Sequence, residues 1–543
     1  MKTAHSKTSL AILLLILSSL IDYPVSGQEA DSGAAIQWKP WEYHLVATEP
    51  SEQGPPATVE VVFTGPSGEV FPGMGFTDDG INYTIRAVFP DVGTWKWKTL
   101  SNNNSDKGIH NVRGKVEVMR YVGENALYHH GDIRVSEDKR FLIHADGTPF
   151  IWIGDTGWNA TYNSTMEDWK TYVDTRAAQR FTVIQVSPRG VGSRTTASAR
   201  PDVSFKPDGT PDPEFWKDLE DKIHYANEQG ILILLVGVGS AWRDTMAVNP
   251  HNQKFESYIT GRMASLIVAL SPSFDQLFSD ELDRIAMELQ KWTSHLVTQH
   301  PGTNHSANIT YRSSNSVDFS GLQSGHQGGD LSKVYAAARQ WTLDLWGGAP
   351  VKPVILLESM YDAYGNNNAR NWREKDSRKP GWIAWMSGAK GFTYGAGDVP
   401  PKVPSGHGAV WMFNKDTSTY DCWQKAIEWE SGWQMTGMRD FLEAFDWWNL
   451  IPSPEYIRNQ ETADTLQMMA ASTPDLNTLI VYLPDNPRVV LDLTAFLGTY
   501  SYVWFNPQTG RYSQPGRLSS GNPNRVFLKP EGWDDAVLKL TRL

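Results

Sequence analysis

Two regions of the chain, one near each end, alternate apolar and polar residues with a period of two. Residues 37–122 contain such runs, VEVVFTG and TWKWKTL among them, separated by Gly, Pro, Asn and Asp. Residues 456–543 repeat the pattern in TLIVYLP and TYSYVWF. Alternation interrupted by turn residues is typical of strands with one buried face. We therefore predict an N-terminal antiparallel β-sandwich and a small C-terminal β-sandwich.

Between them, in residues 123–455, short apolar runs alternate with amphipathic helical segments. This pattern is typical of parallel β/α units, and eight such units predict an α/β fold with a central (β/α)₈ TIM barrel. An open doubly wound sheet is the alternative, but no GxGxxG turn follows any of the strands. The predicted strands are residues 149–155, 181–188, 231–239, 266–275, 295–301, 317–326, 352–359 and 391–397.

The sequence signals for these strands and for the helices between them differ in strength. For the fifth strand, residues 307–314 compete with residues 295–301, and we favour the earlier segment because it follows the fourth helix directly. Ser164 and Glu167 have the spacing of a capping box, and Asp212 followed by Pro213 predicts the start of a second helix.

The chain begins with Lys2 and Lys7 followed by an apolar run over residues 10–21. This order predicts a secretory signal peptide over residues 1–27. The run is shorter than the roughly 20 apolar residues that span a bilayer, and no later stretch is long enough. We expect a secreted or periplasmic protein without a membrane span.

Composition narrows the classes of function. Cys422 is the only cysteine, so no intrachain disulfide can form, and the net charge of -12 argues against nucleic acid as a partner. The chain has 23 Trp, many beside polar residues. Sugars stack their apolar faces on such rings while neighbouring polar groups bind the hydroxyls, so we expect an oligo- or polysaccharide partner. Nothing in the sequence indicates an oligomeric state.

The chemistry of a TIM barrel takes place at the C-terminal ends of its strands. Two carboxylates, Asp275 and Glu358, end the fourth and seventh predicted strands, and glycoside hydrolysis requires two carboxyl groups beside one bond. Burial and mutual repulsion should raise their proton affinity, so that one stays protonated as an acid. The same rule selects, as residues that contact substrate, Asp155, Gln185, Trp242, His300, Gln323, His326 and Tyr361.

Several alternatives stay open at this point. Asp280 or Glu281 could be the acid in place of Asp275, because Asp275 could instead cap the helix that follows. No HExxH or other convincing metal spacing occurs, so we expect neither metal nor cofactor. No GxSxG elbow occurs, which argues against an α/β-hydrolase esterase. A barrel that binds sugar without turnover, or a lyase or esterase with His300 or His326 as its base, remains possible.

Five segments carry a resemblance to a known family. PFIWIGDTGW (149–158), FTVIQ (181–185), VDFSGLQSGH (317–326), KPVILLESMYD (352–362) and GFTYG (391–395) resemble the apiosidase-like barrel glycoside hydrolases. The resemblance implies a retaining mechanism with Asp275 as acid/base and Glu358 as nucleophile. It also implies sugar contacts from Asp155, Trp158, Gln185, Gln323 and His326.

The chain departs from the family in one place, since Ser-Pro-Ser-Phe-Asp stands where the family usually has Gly-Gly-Asp before the acid. The final β region, with VWFNPQTGRY (503–512), also resembles such proteins. We expect exo action on a terminal sugar of a plant or algal polysaccharide.

Overall fold

The computed structural model describes residues 30–51, 54–188, 204–327, 330–363, 372–397, 410–411, 413, 422–519 and 521–543. The predicted signal peptide, residues 1–27, lies outside them. The described chain forms two compact units. One contains the N-terminal β region with residues 250–265 and 287–294, and the other contains the rest of the chain from Val122.

The N-terminal β region is a sandwich of two sheets around an aromatic core that includes Trp41, Phe63 and Trp95. Within residues 37–122 the strands pair antiparallel, as predicted, and the strand Ala30–Ile36, which precedes this region, pairs parallel to Arg113–Met119. The five-stranded sheet has the order Ala30–Ile36, Arg113–Met119, Gly93–Ser101, Val59–Thr64, Val70–Met74, and the three-stranded sheet has the order Trp41–Val46, Asn82–Ala87, Phe76–Thr77.

Eight parallel strands form the central TIM barrel; seven lie within the segments predicted from the sequence, and the first extends one residue beyond its segment, to Thr156. The fifth is the shortest, because only Leu296–Val297 pair with the fourth. The barrel closes where the Asp318 amide donates to the Val297 carbonyl over 2.8 Å. In chain order the strands are Trp152–Thr156, Val183–Val186, Leu232–Val236, Val268–Ser271, Leu296–Val297, Ser320–Gln323, Val354–Glu358 and Gly391–Tyr394.

Helices occupy the sequence between these strands. Residues 307–312 of the segment that competed for the fifth strand lie in the helix His305–Arg312, so the preferred assignment is confirmed. The capping box was predicted one residue too early, since Thr165 and Asp168 form it. Asp212 caps its helix as predicted. The helices are Ala126–His129, Ala160–Asn163, Met166–Ala178, Pro213–Glu228, Ser240–Ala247, Phe255–Met263, Asp280–Trp292, His305–Arg312, Leu331–Gly347, Glu374–Met386, Trp423–Ala426 and Glu430–Glu443.

The C-terminal β region packs a six-stranded sheet and a two-stranded sheet around an apolar core. It is tied to the barrel by a buried ion pair between Arg378 and Asp535, with Nη2 and Oδ1 2.6 Å apart. The larger sheet has the order Ile451–Pro452, Met469–Ser472, Thr478–Leu483, Ala536–Arg542, Thr499–Phe505, Gly516–Ser519, and the smaller pairs Arg488–Leu491 with Arg525–Leu528. Of the helices in the described residues, none has the length and apolar character needed to cross a bilayer.

Candidate active site

Glu358 is the last residue of the seventh barrel strand, and its carboxylate is held by neighbours from several strands. A register shift after Leu322 places Gln323 directly beside Glu358 on the adjacent strand. Gln323 Nε2 donates to Glu358 Oε2 over 2.8 Å, and Tyr361 Oη donates to Oε1 over 2.7 Å. Only 7% of the Glu358 side chain is exposed. A carboxylate that accepts hydrogen bonds on both oxygens is fixed in position.

Asp275 lies in the loop after the fourth strand and differs from Glu358 in its exposure. Its backbone has φ of +52°, a left-handed conformation that non-glycine residues rarely adopt and that functional sites often maintain. Its side chain is 47% exposed. Gln323 Nε2 donates to Asp275 Oδ1 over 2.8 Å, so one amide group binds both carboxylates.

Neither of the other two acidic residues considered for this role shares that amide. Asp280 and Glu281 lie in the first turn of the following helix, and both are exposed. Glu281 forms an ion pair with Arg243. The structure therefore brings Asp275, rather than Asp280 or Glu281, next to Glu358.

His300 follows the fifth strand and lies between the two carboxylates, with its side chain wholly buried. Its Nδ1 is 3.4 Å from Asp275 Oδ1, and its Nε2 is 3.4 Å from Glu358 Oε2. Phe274 stacks on the ring at 5.4 Å, and Trp158 meets it edge-on at 5.2 Å. Because aromatic rings cover its faces, the polar edge of His300 is directed to the two carboxylates.

The electrostatic surroundings lower the pKa of Asp275. Burial raises this pKa, but the interaction with His300, the hydrogen bond from Gln323 and the charge of His326 together outweigh it, so that the pKa lies below its usual value. This is opposite to the raised proton affinity expected from burial and like charge. The reason is the position of His300 and of the Gln323 amide beside Asp275, since both favour the charged form of this carboxyl group.

Trp158, Tyr361 and His326 form the wall beside Glu358. Trp158 Nε1 donates to Tyr361 Oη over 3.0 Å, and Tyr361 in turn donates to Glu358. His326 Nε2 is 3.4 Å from Glu358 Oε1, and its ring meets Tyr361 edge-on at 4.6 Å. Burial, then the charge of Glu358, raises the pKa of Tyr361 well above its usual value, so it stays a hydrogen-bond donor.

Asp155 and Gln185 are fully buried, and both form hydrogen bonds with other protein groups. Asp155 Oδ2 accepts hydrogen bonds from Arg176 Nε at 2.7 Å and from Tyr172 Oη at 2.6 Å. Gln185 Nε2 donates to the carbonyl of Leu357, the residue before Glu358, over 2.8 Å. Asp155 and Gln185 therefore support the strand ends through these hydrogen bonds, and neither side chain is placed to contact a sugar.

Trp242 was expected to contact substrate, and the structure places it in an aromatic cluster instead. Its side chain is fully buried, its ring centroid is 4.7 Å from that of Trp216, and Phe205 packs at 6.3 Å. An indole enclosed by other rings has no free face on which a sugar could stack. In this conformation Trp242 is a core residue.

Two residues of the site were not anticipated from the sequence. Phe274, adjacent to Asp275, covers one face of His300. Trp411, in a segment after the eighth strand, is half-buried, with its ring centroid 6.5 Å from that of Tyr361. Both could have been selected from the sequence if aromatic residues, as well as polar ones, had been considered in the loops after the strands.

Ligand atoms of Asp275, His300 and Glu358 all lie within 4.8 Å of one another, so a metal site has to be considered. The facing oxygens of both carboxylates already accept hydrogen bonds from Gln323. An ion with donors at about 2.0–2.2 Å would have to displace that amide. We therefore describe the group as a hydrogen-bonded cluster and assign no metal or cofactor to it.

Comparison with known proteins matches this site to a family. The model of the apiosidase-like catalytic domain matches residues 136–449, which include the whole cluster. The chain belongs to the apiosidase-like family. A second model, of a collagen-binding domain of a collagenase, matches residues 451–541. The apiosidase-like protein is thus a glycoside hydrolase with a further β domain. No curated protein matches its sequence.

Solved structures show the same fold at low sequence identity. A glycoside hydrolase is 19% identical with a TM-score of 0.63, covering 78% of this chain and 99% of its own. A family 5 glycoside hydrolase from Bacteroides vulgatus ATCC 8482 is 20% identical with a TM-score of 0.64, and the match covers 76% of this chain and 94% of that protein. Another protein of that strain, assigned to the glycoside hydrolases, is 15% identical with a TM-score of 0.68, and the match covers 95% of this chain and 100% of that protein. At these identities the likeness is one of fold.

Proposed function

We propose that this apiosidase-like enzyme hydrolyses its substrate with retention of anomeric configuration, using Glu358 as nucleophile and Asp275 as acid/base. The supporting observation is the distance between them, since their facing oxygens lie within 4.8 Å. Carboxyl groups of retaining enzymes are about 5–5.5 Å apart, whereas inverting enzymes need roughly 6.5–9.5 Å to admit a water between them. The short separation favours direct attack by a carboxylate.

The different environments of the two carboxylates support the division of roles. A nucleophile must stay ionised and in place, which suits the enclosed Glu358 with its bonds from Tyr361 and Gln323. An acid/base must reach the leaving oxygen and later a water molecule, which suits the 47% exposed Asp275. Glu358 would attack the anomeric carbon while Asp275 protonates the departing oxygen, and Asp275 would then deprotonate the water that releases the sugar.

For the substrate, we propose the terminal sugar of a plant or algal polysaccharide, removed by exo action. The family description makes apiose the first sugar to test. The deep burial of Glu358 supports a pocket that accepts a chain end rather than a groove open to a chain interior. We also propose export of the protein to the periplasm or medium after removal of residues 1–27, which N-terminal sequencing of the mature protein would test.

The decisive experiment incubates the purified enzyme with plant and algal polysaccharides and follows the first product by proton NMR. A released monosaccharide with the configuration of the substrate is expected. An inverted first product would exclude the retaining mechanism, and oligosaccharides as first products would exclude exo action. Glu358→Gln should be inactive, while Asp280→Asn, which alters an exposed acid of the neighbouring helix, is the matched control and should remain active.

A further inference from the structure

His300 contacts both carboxylates, and its environment limits the protonation states it can have. Among the described residues, neither ring nitrogen has a hydrogen-bond partner of good geometry, although each faces a carboxylate oxygen at 3.4 Å. A neutral imidazole has one N–H and one lone pair. If both carboxylates were ionised, a neutral ring would direct its lone pair at one of the two anions. Only an imidazolium presents a donor to both.

The backbone and the ring of His300 are both fixed, so the ring cannot easily turn away from this position. The His300 amide donates to Ser271 Oγ over 2.9 Å, and its carbonyl accepts from Ser273 Oγ over 3.1 Å. Phe274 and Trp158 enclose the ring. Among the described residues, the titratable groups that face the ring are Asp275 and Glu358. His326 and Tyr361 contact the other carboxylate oxygen of Glu358, Oε1.

We propose that His300 stores the proton that Asp275 uses as general acid, and that the two residues exchange it along the Nδ1 to Oδ1 contact. This inference rests on the proposed role of Asp275. In the free enzyme His300 is an imidazolium between two carboxylates. Transfer of the Nδ1 proton to Asp275 Oδ1 leaves a neutral imidazole whose Nε2–H still points at Glu358. The total number of protons in the cluster does not change.

The exchange balances over the two chemical steps. As Glu358 bonds to the anomeric carbon and the glycosidic C–O bond breaks, the leaving oxygen takes the proton from Asp275, after a half turn of the carboxyl presents that proton. Asp275 is then an anion and His300 is neutral. When water attacks the anomeric carbon, Asp275 takes a proton from it and the bond to Glu358 breaks. Return of that proton to Nδ1 restores the free enzyme.

This arrangement reconciles two properties of Asp275 that otherwise conflict. A general acid needs a proton, yet Asp275 is held in its charged form by His300 and Gln323. If the proton is held by the neighbouring ring, Asp275 can be ionised at rest and still receive a proton as the leaving group departs. General acid catalysis of this kind contributes roughly 10²–10⁴-fold to rate.

The test compares leaving groups in His300→Gln. The probes are the 2,4-dinitrophenyl and phenyl glycosides of the sugar that the wild type releases. Dinitrophenolate departs without protonation, whereas phenolate needs it. We expect kcat/KM of His300→Gln on the phenyl glycoside to fall by roughly 10²-fold or more. This factor should be at least about tenfold larger than the factor by which kcat/KM falls on the dinitrophenyl glycoside.

His326→Gln is the matched control, because His326 Nε2 faces Glu358 Oε1 at 3.4 Å, whereas His300 Nδ1 faces Asp275 Oδ1 at 3.4 Å. It should slow both glycosides by similar factors. Equal losses on both glycosides in His300→Gln would show a merely structural role and overturn the inference. A wild type that inverts configuration would instead defeat the proposed function, so the two failures are distinguishable.

If His300→Gln does not fold, nitrogen NMR of the wild type decides the question. With labelled histidine, the His300 ring can be assigned through its contact with the Phe274 ring. Two protonated ring nitrogens at neutral pH in the free enzyme are expected. A neutral ring under those conditions would overturn the inference.

Discussion

One side-chain amide links the two catalytic candidates: Gln323 Nε2 donates a hydrogen bond of 2.8 Å to Asp275 and another of 2.8 Å to Glu358. Two carboxylates whose oxygens lie within 4.8 Å repel each other, and the two hydrogens of this amide offset that repulsion. The shared amide therefore holds the two carboxylates at a separation that suits the proposed retaining mechanism.

Replacing Gln323 by Met keeps the length of the side chain and removes both hydrogen bonds. Because a hydrogen bond to a charged group contributes about 1.5–3 kcal/mol, we expect kcat/KM to fall roughly 10–10²-fold. The pKa of Asp275 should rise, since the bond from Gln323 lowers it. Because Asp275 acts as the acid, the alkaline limb of the pH profile, where the acid loses its proton, should therefore move to higher pH.

The matched control for this change is Gln327→Met, since the Gln327 amide donates to the backbone carbonyl of Ser324. Its pH profile should be that of the wild type. An unchanged pH profile in Gln323→Met would show that the amide does not govern Asp275.

Asp155 is predicted to stabilise the barrel rather than bind substrate. Asp155 and Arg176 are both fully buried, and removing one partner of a buried ion pair costs about 3–5 kcal/mol because the other charge is left unpaired. We expect Asp155→Asn to lower the free energy of unfolding in urea by about that amount. The exposed Glu167→Gln, on the helix that carries Arg176, should change it by less than about 0.5 kcal/mol. A raised KM with unchanged stability would indicate a sugar contact instead.

The sequence predicted the barrel well, because the strands of a buried parallel sheet are apolar runs separated by amphipathic helices. Even the two-residue fifth strand was placed correctly, since the preceding helix leaves little alternative. It also selected Asp275, His300, Gln323 and Glu358, which the structure brings together, from the rule that active sites lie at strand ends. Their roles remain predictions.

Properties that depend on tertiary contacts could not be predicted in this way. The register shift that sets Gln323 beside Glu358 and the left-handed backbone of Asp275 have no local sequence signal. The lowered pKa of Asp275 depends on where His300 lies, which only the closed barrel determines. Trp242 follows a strand end, but its ring packs among Trp216 and Phe205. A strand-end position therefore indicates a candidate, and burial decides whether substrate can reach it.

Asp362, four residues after Glu358, gives a prediction for the pH dependence of stability. Burial raises its pKa from 3.8 to about 6. The folded state thus binds the proton more tightly than the unfolded state. The stability that this proton contributes is fully present below the unfolded pKa and is lost as the pH rises through about 6.

Asp362→Asn removes this titration while keeping an acceptor for Ser431, which donates to Asp362 Oδ2. Relative to wild type, the free energy of unfolding of the variant should increase between about pH 4 and about pH 8, by on the order of 2–3 kcal/mol. Urea denaturation of both proteins at the two pH values measures it. A difference that is the same at both values contradicts the prediction.

Chemical rescue of Glu358→Ala tests whether Glu358 attacks the anomeric carbon. The truncated side chain leaves room for azide beside that carbon, on the face that Glu358 occupied. With the 2,4-dinitrophenyl glycoside of the released sugar, we expect azide to attack from that face and to form a glycosyl azide whose configuration is opposite to that of the substrate. A glycosyl azide with the configuration of the substrate, or full hydrolysis by Glu358→Ala without azide, would contradict it.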